Sequence, residues 1–424
     1  MRLYPALLFF VLLFSGITLR AQDPMTFAYR PHWPDHFSQQ QHAVSFSGEY
    51  MAASDALTNS FLNAFYTGQF LDSSMKAKQE SYLLPKNRLG AYAGYGFAYT
   101  WRNNPDSLKW ELTVAVRDRQ EMFGAFASDA FRLAFEGNRP FRGTTANLDK
   151  SQLTYMHWQQ LQFEGKYYTS DHKSEVVLGF SVLSGQQLQE VNIREGKLYT
   201  ASDGRSIDLT SNATYYASDT SSNKMFNRAG FGTCFNFRFS TMLGDSMSRF
   251  HHQLMFSVQD LGSIRWSNRA LIYNVDTTVH YNGVDASDVL INHGEVTGLP
   301  NSDSLIGQPD EGQIITFLPI GIRARYTLFT PTNWWGGVDL RFWSYSGALP
   351  QATLFAGWHS NDEKWSATGG AGWGGFARLQ FPVQLTWNAC RDFAVTAGTT
   401  NLAGYIIPGK TRGQGLYMNL SFAF

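Results

Sequence analysis

The chain ends on Gly415-Leu416-Tyr417-Met418-Asn419-Leu420-Ser421-Phe422-Ala423-Phe424. Every even-numbered side chain there is apolar, and the odd positions carry Gly, Tyr, Asn, Ser and Ala. Strand side chains point alternately to two faces, so the segment predicts a strand with one oily and one mild face. The same period of two recurs upstream. Leu89, Ala91, Ala93, Tyr95, Phe97, Tyr99 and Trp101 alternate with Gly90, Gly94 and Gly96. Leu254, Phe256 and Val258 oppose Gln253, Met255 and Ser257, and Ile322, Ala324 and Tyr326 oppose Arg323, Arg325 and Thr327.

These runs exceed the usual strand of ~5–6 residues and suit the ~9–11 residues of a tilted membrane-crossing strand. Their oily face is aromatic: the chain has 33 Phe, 20 Tyr and 12 Trp, beside 38 Gly. Strands in lipid must satisfy every backbone group by closing into a barrel. The expected fold is therefore all-β: a transmembrane antiparallel β-barrel of 14–16 strands, its oily face toward lipid and its mild face toward the lumen. Trp101, Trp358, Trp373 and Trp387 fall near strand ends on the oily parity and read as an interfacial girdle.

Connections divide into two kinds. Short ones such as 201–205 and 360–364 are expected on the side of the termini. Long ones near 54–87, 119–151, 218–226 and 266–312 are expected on the opposite side, as outer loops. The pair around Gly374-Gly375 reads equally as two strands or as one bent strand. Two connections carry helical spacing. Ser54 or Asp55 is placed to cap a helix presenting Leu57, Phe61 and Phe65, and Ser128 or Asp129 to cap a second with Phe131 and Phe135.

Residues 1–21, an Arg2 followed by an apolar stretch and small residues at the end, read as a signal peptide; 22–424 is one barrel domain. Without Arg2 and Arg20 the remainder holds 32 basic against 34 acidic residues, with no basic patch, so nucleic acid is not an expected partner. Cys234 and Cys390 allow at most one disulfide. The ten histidines form no metal or nucleophile motif, and neither catalytic residues, a cofactor nor a metal is expected.

Several segments, "NSFLNAFYTGQFLD" from Asn59, "DAFRLAFEGN" from Asp129 with "FRG" after it, "VQDLGSIRW" at 258–266 and the ending from Ala397, carry a resemblance. The chain resembles a Bacteroidota outer-membrane barrel family of the domain-of-unknown-function 5723 type. By fold it is distantly similar to the long-chain fatty-acid transporter group. The resemblance implies the outer membrane of a Gram-negative bacterium, outer-membrane lipid as surroundings, and barrel-assembly machinery reading Leu416, Met418, Leu420, Phe422 and Phe424.

Charges on the mild parity are Glu49, Glu111, Arg117, Arg238, Arg323, Arg325, Asp339 and Arg341. A lipid-facing charge near mid-membrane costs ~2–4 kcal/mol, so these are expected to line the lumen. They either brace the wall or form a polar pathway, and bracing is the plainer reading. Leu57, Phe61, Phe65, Phe126, Phe131, Leu133 and Phe135 are candidates for an apolar ligand groove, with helix packing the plainer reading. The expected function is a channel or transporter for hydrophobic small molecules. The alternative is a structural or interaction barrel that anchors a surface or secretion partner protein.

Overall fold

The computed structural model describes residues 40–103, 109–170, 173–219, 228–244, 250–282, 308–344, 347–390 and 392–424. The expected signal peptide lies outside them. Fourteen strands form the wall: β1 (His42–Ser54), β2 (Lys86–Arg102), β3 (Trp110–Ala127), β4 (Ser151–Tyr168), β5 (Ser174–Thr200), β6 (Gly230–Leu243) and β7 (His251–Trp266). The second half comprises β8 (Gly321–Phe329), β9 (Trp334–Trp343), β10 (Leu349–His359), β11 (Trp365–Gly375), β12 (Val383–Cys390), β13 (Phe393–Thr399) and β14 (Gly413–Ala423). Each pairs antiparallel with the next. The ring closes where β14 pairs with β1, Phe46 opposite Leu420 and Tyr50 opposite Leu416. The C-terminal strand is thus the seam that leaves the sheet without an edge.

The even face of β14 points outward: Leu416, Met418, Phe422 and Phe424 are exposed. So are Phe97, Val116, Leu178, Phe235, Leu354 and Trp387 around the ring. Such a continuous apolar belt on a closed barrel is the surface that hydrocarbon solvates. No helix among the described residues is long and apolar enough to cross a membrane.

Two alternating segments that could be counted into the wall stand outside it. A strand over Ile207–Ala217 pairs with the upper part of β5, and one over Ala270–Tyr281 pairs with that strand in turn. Together they extend the sheet beyond the barrel on the side of the long connections. The turn at 201–205, expected on the side of the termini, therefore lies on the opposite side, within this hairpin. Gly374-Gly375 is the turn region of a true hairpin: β11 and β12 are separate wall strands. The strand expected to stop at 119 continues to Ala127.

In the extension, His280 sits directly across from Asp208, with its Nδ1 bonded to the carboxylate and its Nε2 2.6 Å from Asn282 Oδ1. The bond to Asp208, then that to Asn282, hold the imidazole above its ordinary value. A raised value stabilises the folded protonated form. The contribution is complete below the unfolded value of about 6.5 and is lost as pH rises through the folded one. Amides of Thr210 and Thr278 should therefore exchange faster at alkaline pH than intrinsic rates require. His280→Gln should remove that excess; an unchanged excess would show that the pair is irrelevant to it.

Candidate functional site

The upper lumen is packed. Met156 and Trp158 on β4, Leu183 and Leu188 on β5, and Ile264 and Trp266 on β7 are fully buried against Leu318, Phe376 and Ala377 from the connecting segments. Phe376 rests on Gly90, where an added Cβ would fall 2.2 Å from the ring. Below this apolar layer a guanidinium bridges the barrel. Arg119 on β3 donates from Nη1 and Nη2 to Asp260 on β7 at 2.8 and 2.9 Å, and from Nη2 to Glu121 at 2.8 Å. It lies 4.8 Å over the Trp158 ring. Asp260 occupies a left-handed conformation, φ 58°, beside the register break at Phe235/Phe237. Its backbone N–H is taken by Asn236 Oδ1. The break turns Asp260 inward to meet Arg119.

A second layer gathers Arg323, Arg325 and Arg341 about Asp339, at 2.7, 3.0 and 2.8 Å. The Arg325 guanidinium stands 5.1 Å from the centre of the Phe355 ring. Toward the termini, Glu111 accepts from Arg102 and from the Tyr168 hydroxyl, while Lys166 reaches Glu175 at 2.9 Å.

The long connections between β1 and β2 and between β3 and β4 build a different site, on the outside of the wall. Three helices lie here: α1 (Asn59–Tyr66), α2 (Ser73–Glu80) and α3 (Ser128–Glu136). Thr58, rather than Ser54 or Asp55, caps α1, its hydroxyl accepting from the Phe61 N–H. Ser54 instead receives the Ala56 and Leu57 N–H groups, and Asp55 binds Arg88 at 2.8 Å. Helix α3 starts at Ser128 without a side-chain cap and stops at Gly137, whose φ of 74° suits glycine. Helix α2, capped by Asp72, was not anticipated.

Long-range bonds fix these helices. Asn59 Nδ2 donates to the Gly413 carbonyl at 2.9 Å and the Gly404 carbonyl at 3.2 Å, tying α1 to the start of β14. Buried Gln79 of α2 accepts from the Thr58 N–H and hydroxyl. Arg132 of α3 donates to Glu80 of α2 at 2.6 Å. Phe61 meets Phe131 and Phe135 with centroids 5.4 and 5.1 Å apart, and Phe65 meets Phe135 at 5.8 Å.

Between these rings and the outward faces of β1–β3 remains a cavity of about 280 Å³. Leu57, Phe61, Phe65, Phe126, Phe131 and Phe135 line it, together with Leu62, Leu89, Ala91 and Met122. Its polar fringe is Tyr50, Asn63, Gln120 and Gln414; Glu121 borders it from the wall, its carboxylate bonded to Arg119 in the lumen. The structure thus gathers six of the seven residues singled out for an apolar groove. Leu133 is half-buried and is not among the lining residues.

Of the eight expected lumen charges, Arg323, Arg325, Asp339 and Arg341 form one cluster, Glu49 is buried, and Glu111 and Arg238 join ion pairs with Lys166 and Glu175. Arg117 shares the parity of Arg119 and is half-buried. Arg119, Glu121 and Asp260 were missed. The first two fell in a segment read as loop, and the third sits past a bulge that shifts the parity. Cys234 is buried and Cys390 exposed, both free thiols. Among the described residues, no group of three or more His, Cys, Asp or Glu is placed to hold a metal ion.

A family model described as a family of unknown function, DUF5723, matches residues 43–370. No curated protein matches the chain. Solved structures it is similar to include the P. putida toluene transporter TodX, at 7% identity and TM-score 0.46 over 91% of this chain and 90% of that one. The Ralstonia pickettii toluene transporter TbuX is similar at 8% identity and TM-score 0.41 over 91% and 88%. A Pseudomonas aeruginosa FadL homologue is similar at 8% identity and TM-score 0.42 over 91% and 90%.

Proposed function

We propose that this chain, which belongs to the DUF5723 family, is an outer-membrane barrel transporter of hydrophobic small molecules whose binding site is the cavity beneath α1 and α3. The supporting observation is the cavity itself. A Phe stripe at helical spacing ordinarily fills its own contact with the wall. Here Phe61, Phe131 and Phe135 pack on each other and leave about 280 Å³ of apolar space. That is close to the lower end of the ~300–1,000 Å³ typical of small-molecule sites. Glu121 borders the cavity from the wall with its carboxylate turned to Arg119 in the lumen, so the lining presents no charged side chain and the site suits a neutral or largely apolar solute. The packed lumen argues for a guarded passage and against an open diffusion pore.

The purified barrel in detergent should bind phenylnaphthylamine, a neutral fluorescent aromatic amine, saturably, and an alkane should displace it. Ala134→Trp, which puts an indole into the cavity from α3, should weaken binding about tenfold or more, about 1.4 kcal/mol, with the far-ultraviolet spectrum unchanged. Uptake of the same probe into vesicles carrying the wild type should exceed uptake into empty vesicles. Non-saturable binding that Ala134→Trp leaves untouched would dismiss the assignment.

A further inference from the structure

A second apolar hollow lies on the outer wall, over β1, β14, β13 and β12. It encloses about 560 Å³ and is walled by Val383, Leu385, Leu416 and Met418, with Gly48 and Ala397 as its floor. Leu385, Leu416 and Met418 are part of the exposed belt, so the hollow opens sideways on the lipid face. Glycine and alanine make it: where the neighbouring strands present Tyr95, Met418 and Leu385 opposite them, Gly48 and Ala397 leave the space of a missing side chain.

Among the described residues, Tyr50 alone borders both this hollow and the helix-roofed cavity. Its hydroxyl accepts from Gln414 Nε2 at 2.8 Å, and the same nitrogen donates to Asn63 Oδ1 of α1 at 2.6 Å. Beside this junction a fourth helix, α4 (Ala403–Ile406), exposes Tyr405 and Ile406, with Leu402 and Ile407 flanking it. An amphipathic Tyr405 beside exposed aliphatic side chains suits the boundary between headgroups and hydrocarbon.

We infer that one acyl chain of a bilayer phospholipid occupies the outer hollow and continues past Tyr50 into the cavity beneath α1 and α3. The cavity is then loaded from the membrane side of the barrel. The hollow is continuous with the lipid-facing belt, which is why the occupant is a lipid already in the bilayer. A chain anchored by its headgroup reaches the cavity through the hollow, and the Tyr50–Gln414–Asn63 chain of hydrogen bonds is the barrier it crosses. This rests on the cavity being a hydrocarbon site, as proposed above.

The test uses the full barrel in phosphatidylcholine vesicles containing some phosphatidylcholine with a diazirine at the end of one acyl chain. After illumination, adducts are mapped by mass spectrometry. Wild type should carry adducts on β14 and also on α1 and α3. Ala397→Trp, or the milder Ala397→Leu, should lose the α1 and α3 adducts while those elsewhere on the belt persist. Tyr50→Ala should carry more of the α1 and α3 adducts than wild type. Absence of α1 and α3 adducts in wild type, while a free diazirine-bearing alkane labels them, would overturn the lipid route and leave the cavity assignment standing. If neither probe labels the cavity, both fall.

Discussion

Arg119→Leu should cost the barrel about 3–5 kcal/mol, because it leaves the Asp260 and Glu121 carboxylates buried without their shared cation. All three side chains are nearly inaccessible, Glu121 at 1% and Asp260 at 4%. The measurement is the urea midpoint of the refolded barrel, or the temperature at which it loses its compact electrophoretic form. The cost lies in the orphaned carboxylates, so the triple variant Arg119→Leu, Asp260→Leu, Glu121→Leu should recover most of the loss. A triple variant as weak as the single one would mean that packing of Arg119 on Trp158 carries the stability. Asp260 adds a consequence of its own. Its left-handed backbone is strained for a side chain other than glycine, asparagine or aspartate, so Asp260→Asn keeps the bulge while removing the charge. It should fall between wild type and Arg119→Leu.

The fold was legible because its decisive constraint is local. Lipid on one side and lumen on the other impose a period of two on every wall strand, and Leu416 to Phe424 display it within ten residues. What periodicity could not do was tell wall from extension. The Ile207–Ala217 strand alternates as the wall strands do, and only its pairing with Ala270–Tyr281 places it outside the ring. The run Arg117-Asp118-Arg119-Gln120-Glu121 misled for a related reason. Charges on both parities look like a loop when both faces are assumed to be wall faces within the membrane. Here the outward Asp118 meets His157 and Gln159, and Gln120 meets Tyr155, so the strand continues in a polar zone beyond the oily belt.

The aromatic groove residues were legible from helical spacing, but not where they would act. Asn59 binding Gly413 across more than three hundred residues lays α1 on the outer wall, and nothing local encodes that bond. Nor does spacing distinguish rings that fill a space from rings that frame one. That depends on the wall beneath, where Ala91 and Ala93 stand in place of larger residues.

Asp339→Leu should be the second severe lesion, again about 3–5 kcal/mol by the unpaired-charge argument, and it separates bracing from a polar pathway. Asp339 accepts from Arg323, Arg325 and Arg341 together and is 1% exposed. Three cations about one carboxylate repel each other, so the residues of this layer are unequal. Deleting the anion leaves three guanidiniums facing one another. Deleting one cation, as in Arg325→Met, removes repulsion along with attraction and should cost no more than about 1.5 kcal/mol, the range of a tolerated apolar exchange. Bracing therefore predicts a steep loss of urea midpoint for Asp339→Leu, a shallow one for Arg325→Met, and no change in single-channel current for either. A pathway predicts the reverse emphasis, in which Arg325→Met keeps the midpoint and shifts ion selectivity toward cations. A selectivity shift without a stability change would place the arginines in a conducting route and remove the argument for a sealed lumen.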